Sequence, residues 1–258
     1  MNKIISVTKD VLPLAALLLA FALIFIPVPV MAIQVLLALN VGFALCLFAA
    51  GFVKKAKFSM LYSHSALFYA VFGFEVAIAA IRPLLTARTI EEQIPLARII
   101  GQWICRENYV CGFFTVFVAC AGILFIFRRG VVRISEVAAR FSLDISAQRT
   151  FAIDQQLAKN MITNEEAKNL RKKLCDEIEV YSVRDGTAKI LGKTLCALFV
   201  LFSIVVAGGV ALGILVLKMT WLAALEQYIT LACGYLALFV VPLFLVGVGF
   251  SEFGTEWI

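Results

Sequence analysis

Charge is scarce in this chain. Only 16% of its 258 residues are Asp, Glu, Lys or Arg, against 62% hydrophobic. A soluble domain carries about 25% charged and about 45–50% apolar residues. A water-soluble protein of this size would lack the polar side chains to cover its surface, so a soluble enzyme is excluded and an integral membrane protein expected. Histidine is nearly missing too, with His64 alone, and the seven cysteines (46, 105, 111, 120, 175, 196 and 233) include no CxxC pair. Zinc has almost nothing to draw on, and neither metal nor cofactor is expected. Cys46, Cys120, Cys196 and Cys233 fall inside apolar runs, where cysteine behaves as a small hydrophobe. Cys105 and Cys111 flank a loop, where a bridge stays an open alternative. A cleavable signal is not expected, since the first apolar run is too long and lacks a small-residue cleavage site. The net charge of +6 points to nucleic acid at first sight. The basic residues sit in short stretches between apolar runs, however, so topology explains them better and no nucleic-acid partner is expected.

What the chain has in abundance is long apolar runs. Counting ~20 residues per span, runs at 11–26, 30–53, 59–85, 109–127, 194–217 and 221–250 give six crossings. Pro27 and Pro29 make a corner between the first two, because proline removes helix donors and biases the preceding residue away from helix. A polar, partly amphipathic connector covers 86–108. The only extended charged region is 128–193, which divides the chain into spans one to four (1–128), a cytosolic helical insert (129–193) and spans five and six (194–258). Lys3 and Lys9, the cluster Lys54, Lys55 and Lys57, and about thirteen Lys or Arg between Arg128 and Lys193 alternate with less basic connections. With a cytosolic amino terminus, every strongly basic segment falls on the cytosolic side.

The insert reads as helical. Thr163 followed by Glu166 has the spacing of a capping box, and Ala167, Leu170, Leu174, Ile178 and Tyr181 then recur as one apolar stripe. The stretch from Arg133 to Asp144 reads as a further amphipathic helix continuing from the fourth span. Arg133, Arg140 and Asp144 are seven and four residues apart, so all three share one face just below the membrane. Asp185-Gly186 precedes the fifth span by about nine residues. An ionisable carboxylate there can meet a water-filled vestibule; the plain alternative is a solvated loop with surface pairs of little energetic weight. The run from Asp185 to Thr194 is no phosphate loop, because five residues separate Gly186 from Gly192 where four are required. Within the third span, Glu75 is a functional candidate by default, since a carboxylate at mid-membrane costs a few kcal/mol. His64, Glu75 and Arg82 fall within roughly 20° on an ideal helix, but Glu75 and Arg82 are ~10 Å apart along its axis. That is too far for a direct pair. Gly208, Gly209 and Gly213 permit close helix contact, which indicates packing rather than chemistry.

The cytoplasmic motifs resemble those of the flagellar and type III secretion export-gate family. They are Arg133-Ile-Ser-Glu-Val-Ala-Ala-Arg-Phe-Ser-Leu-Asp144, Ala152-Ile-Asp154, Glu165-Glu-Ala-Lys168 and Asp185-Gly-Thr-Ala-Lys189. Asn108-Tyr-Val-Cys-Gly112, Gly208-Gly209, Ile26-Pro-Val-Pro29 and Leu36-Leu-Ala-Leu-Asn40 extend the similarity through most of the chain. The resemblance implies an inner-membrane subunit of a protein-export machine, forming a homo-oligomeric ring with other export-apparatus membrane subunits and coupling ion flow to the movement of secreted protein substrates. It implies coupling roles for Asp185, Arg133, Arg140 and Asp144, with Gly186, Asp154 and Lys189 in the same motifs. The chain also departs from the family. Ile145-Ser-Ala-Gln-Arg-Thr150 replaces A-M-P-G-K-Q, Tyr235 and Gln34 stand at positions of family acids, and Glu75 is new. The family carries two further spans and a large cytosolic domain, so a truncated or degenerate relative is expected.

The expectation is therefore an all-α integral membrane protein of about six spans, seated in the bacterial inner membrane and acting as an export-gate component. It is not expected to be an enzyme. Two alternatives stand beside it: a small secondary transporter built on Glu75 with Arg82 on the same face, and a non-conducting scaffold of the export ring.

Overall fold

The computed structural model describes residues 22, 25, 26, 28–52, 59–87, 93–106 and 108–252. Most of the first expected span, and the basic cluster at 54–57, lie outside the described residues. Among the described residues every regular element is helical: α1 Val30–Gly51, α2 Ser59–Thr86, α3 Pro95–Cys105, α4 Tyr109–Phe127, α5 Arg133–Ala158, α6 Asn164–Leu215 and α7 Trp221–Glu252. Among the described residues, five helical segments are long and apolar enough to cross a membrane. The protein is an all-α integral membrane protein.

Local chemistry sets the helix starts. Pro29 caps α1 and Pro95 opens α3, at positions where the missing N–H costs nothing. Asn108 caps α4, its side-chain oxygen accepting from the N–H groups of Val110 and Cys111, both at 3.1 Å. The expected capping box is present at the start of α6. The Thr163 hydroxyl accepts from Glu166 N–H at 3.3 Å, and the Thr163 N–H donates to the Glu166 carboxylate at 2.8 Å.

The central helix is α7. In its most apolar stretch 72% of residues are buried, against 22% to 28% for α1, the α4–α5 leg and α6. Those outer helices keep one face for lipid. Tyr228 of α7 seats its ring in the hollow left by Gly209 and Gly213 of α6, whereas Gly208 faces open space. Small residues on α6 thus do what the sequence indicated, with Gly208 outside the contact. At this end of the bundle the amphipathic connector is helix α3, laid directly on α7. Gly101 meets the Thr230 carbonyl and Gly234 meets Ala97. Cys105, buried against Gly112, and the exposed Cys111 are both free thiols.

At the other end two legs leave the bundle. A single π turn, Arg128–Val132, joins α4 to α5 without a break, so one helical leg runs 50 residues from Tyr109 to Ala158. The second leg, α6, has 52 residues. At 1.5 Å per residue each is about 75 Å long, and a hydrocarbon core is about 30 Å thick. Both legs therefore project well past the membrane as an antiparallel hairpin. Its turn carries Asn160 at φ 55, a left-handed conformation that asparagine tolerates. Arg149 pairs with Glu177 at 2.9 Å and Arg171 with Asp154 at 2.6 Å, across the two legs. Ile153, Ala167 and Leu174 are buried along the hairpin, whereas Leu170 of the expected stripe is half exposed. The boundaries read at 128/129 and 193/194 fall inside continuous helix, so the insert is an extension of two spans.

The cap and the bridges differ in weight. Exposed bridges contribute under about 1 kcal/mol each, and loss of a Thr cap costs about 1 kcal/mol. Thr163→Ala is expected to raise amide exchange through the first turns of α6 and leave the membrane part protected; unchanged exchange would remove the cap from the account. The N–H donated by Thr163 holds the Glu166 carboxyl below its ordinary range, helped by the Thr163 hydroxyl. A carboxyl shifted this way stabilises above its unfolded pKa and loses that contribution as pH falls through its folded value. The hairpin tip is accordingly expected to loosen before the bundle does once pH falls below the ordinary carboxylate range, as read by hydrogen exchange.

Candidate functional site

The motif residues gather where the hairpin meets the bundle. Asp185 and Gly186, for which a solvated loop was the plain alternative, lie inside α6. No loop is available there to wrap a phosphate. The Asp185 side chain is 19% exposed, and its Oδ2 accepts from Lys189 Nζ at 2.6 Å, one turn on. Its Oδ1 is buried without a hydrogen-bond partner among the described residues. One oxygen of this carboxylate is thus paired and the other is buried without a partner. Gly186 is exposed, with nothing near the position of an added Cβ.

Across the hairpin, Arg133, Arg140 and Asp144 are exposed on α5. Arg140 pairs within its own helix, with Glu136 at 2.6 Å. The two cross-leg bridges and the contact of Gly192 with Val132 share one antiparallel register, in which Arg140 falls level with Asp185. Each of the two makes its ion pair inside its own leg, so the structure brings them to one height without joining them. Asp154 lies far down the hairpin, bridged to Arg171, and serves hairpin pairing.

Sequence reasoning missed Arg184. It is 8% exposed, and its guanidinium donates to the Phe250 carbonyl at 3.3 Å and sits 5.4 Å from the Phe250 ring centroid. Phe250 in turn stacks on Tyr62, with centroids 6.0 Å apart, and the Tyr62 hydroxyl donates to the Leu47 carbonyl at 3.0 Å. One arginine thus ties the residue before Asp185 to the end of α7 and, through aromatic contact, to α2 and α1. Nothing local marks it in the sequence, since its partner is 66 positions away.

Within the membrane part, Glu75 is 5% exposed and its Oε2 has no hydrogen-bond partner among the described residues. Arg82 and His64, on the same face, are exposed near the two ends of α2, and His64 bonds the Met60 carbonyl through Nδ1 at 2.7 Å. Tyr235 is buried and donates to the Ala77 carbonyl at 2.9 Å. Gln34 is half buried on α1.

Comparison with known proteins settles the kinship. The FHIPEP family matches residues 20–249. The chain belongs to the FHIPEP family. Among its relatives, the probable translocation protein y4yR of Sinorhizobium fredii is 30% identical over 241 residues, covering 93% of this chain and 34% of y4yR. The flagellar biosynthesis protein FlhA of Borreliella burgdorferi is 26% identical over 231 residues, covering 88% of this chain and 33% of that protein. Protein MxiA of Shigella flexneri is 26% identical over 250 residues, covering 95% and 36%. The chain thus spans about a third of the length of these FHIPEP relatives. No solved structure matches it.

Proposed function

We propose that this FHIPEP chain is an inner-membrane export-gate component of a flagellar or type III protein secretion apparatus, taking part in ion-coupled translocation rather than in covalent catalysis. The observation that carries the reading is Asp185. It is a half-buried carboxylate with one unpartnered oxygen, on the helix that passes from the bundle into the hairpin. Protonation or cation binding at Oδ1 changes the charge that Lys189 faces. Arg184, the adjacent residue, passes any shift of α6 to the end of α7. Arg140 on the facing leg lies level with Asp185, and Asp144 and Arg133 lie about 6 Å and about 10 Å to either side of it along α5, supplying charges for the hairpin to re-pair. In this reading the hairpin and amino terminus are cytosolic, as the charge bias favours, and the chain works in a homo-oligomeric ring with other apparatus subunits.

The experiment is complementation of export. Asp185→Asn keeps the shape and removes the titration, and is expected to abolish secretion while the chain still reaches the membrane. Unaltered secretion removes Asp185 from the mechanism. A second reading, a small transporter built on Glu75, draws on its buried and unpartnered Oε2. Under the gate reading Glu75→Gln leaves export unchanged, since a neutral amide fills the same space. Lost ion or solute uptake in that variant, with export intact, would favour the transporter.

A further inference from the structure

Directly beneath the lipid-facing surface, both legs of the hairpin change abruptly from apolar to basic. On α4, the exposed side chains Phe114, Val118 and Phe125 follow one face of the helix. One turn beyond Phe125 that face carries Arg129, whose guanidinium lies 5.3 Å from the Phe125 ring centroid. On α6, exposed Leu215, Ile204 and Val200 descend one face to exposed Lys193. These exposed apolar faces therefore each end in a cation.

The π turn gathers these cations. Arg128 opens it and Arg133 follows it. In an unbroken α-helix, residues five apart lie about 140° around the axis from each other. A turn closed from i to i+5 brings them back to within roughly 50°. By this geometry Arg133 falls near Arg128 around the axis, and Arg128, Arg129 and Arg133 are all exposed. Gly130 sits in the turn with open space around the position of an added Cβ.

We propose that Arg128, Arg129, Arg133 and Lys193 form a collar that binds the phosphate groups of anionic lipids in the adjoining leaflet, and that the π turn sets its geometry. Guanidinium groups suit this ligand because their fork of donors matches phosphate oxygens. Anchored headgroups fix the depth at which the hairpin leaves the membrane. The proposal rests on the export-gate reading only for which leaflet this is.

The test is the full chain in nanodiscs of equimolar phosphatidylglycerol and phosphatidylcholine, with photoactivatable phosphatidylglycerol as the probe. Cross-links are expected to concentrate at residues 125–133 and 193. The combined variant Arg128→Gln, Arg129→Gln, Arg133→Gln is expected to lose selectivity for phosphatidylglycerol by roughly fivefold per cation removed. The variant Lys168→Gln, Lys172→Gln, Lys173→Gln, which removes equal charge from the hairpin shaft, is expected to keep wild-type selectivity. An equal loss in both variants, no loss in the first, or displacement of the lipid by inorganic phosphate would overturn the collar. Maleimide labelling of exposed Cys175 reports whether the collar variant keeps its orientation. If it does not, cross-links spread evenly over the wild-type chain would overturn the proposal by themselves. Asp185→Asn is expected to retain full lipid selectivity, so failure of the gate and failure of the collar are read separately.

Discussion

Leucine at Gly234 is expected to stop the chain from accumulating as a folded bundle. A Cβ built at this position runs into the Ala97 carbonyl and comes 2.7 Å from the Gly101 backbone nitrogen. Gly101 answers from the other side, its own Cβ position colliding with the Thr230 carbonyl. Two helices are thus in backbone contact, and backbone cannot rotate away as a side chain would. Overpacking of an ordinary core costs about 1–3 kcal/mol; here α3 must lift from α7 altogether, so several kcal/mol are expected. Gly208→Ala is the control, since nothing lies within 4 Å of the added Cβ and alanine gains about 1 kcal/mol of helix propensity. Membrane abundance and melting in detergent check the pair. Normal abundance of Gly234→Leu would show that α3 does not pack this way.

The second large effect is expected at Arg184. The last carbonyls of a helix lack partners within the helix and favour a cation. Arg184 supplies one at the Phe250 carbonyl from a buried position. Arg184→Glu replaces it with a buried anion facing carbonyl oxygens, a change on the order of 3–5 kcal/mol. Arg184→Lys keeps the charge but loses the planar group over the Phe250 ring, and is expected to cost less. Amide exchange over the last turns of α7, with thermal melting, measures both. Protection there that survives Arg184→Glu would show that the tie carries no weight. Because Asp185 is the next residue, the Glu variant is also expected to impair export in a chain that still inserts.

Much of the molecule was legible before any coordinates. The sparse charge and the apolar runs placed the helices α1, α2, α4 and α7 within a few residues of their observed bounds. Thr163 and Glu166 announced the start of α6, because a capping box is a local contract between residues three apart. The helix after the fourth span was legible as an amphipathic continuation of it. Less legible was continuity. The hydropathy of the stretch Arg184 to Lys193 falls, and Gly186 and Gly192 punctuate it, so the apolar run by itself begins only at Thr194. Polarity along a chain reports solvent, however, and a helix leaving a membrane changes solvent without changing backbone geometry.

Composition and periodicity by themselves determined that this chain crosses a membrane as helices, where most of them begin, and that its basic residues gather in the connections between apolar runs. Only the tertiary structure decided that α3 lies on α7, that one π turn joins α4 to α5 without a break, and that Arg184 anchors the end of α7. The reason is range: caps, spans and stripes are settled by residues a few positions apart. The site depends on groups far apart in the chain that meet only once the helices have packed.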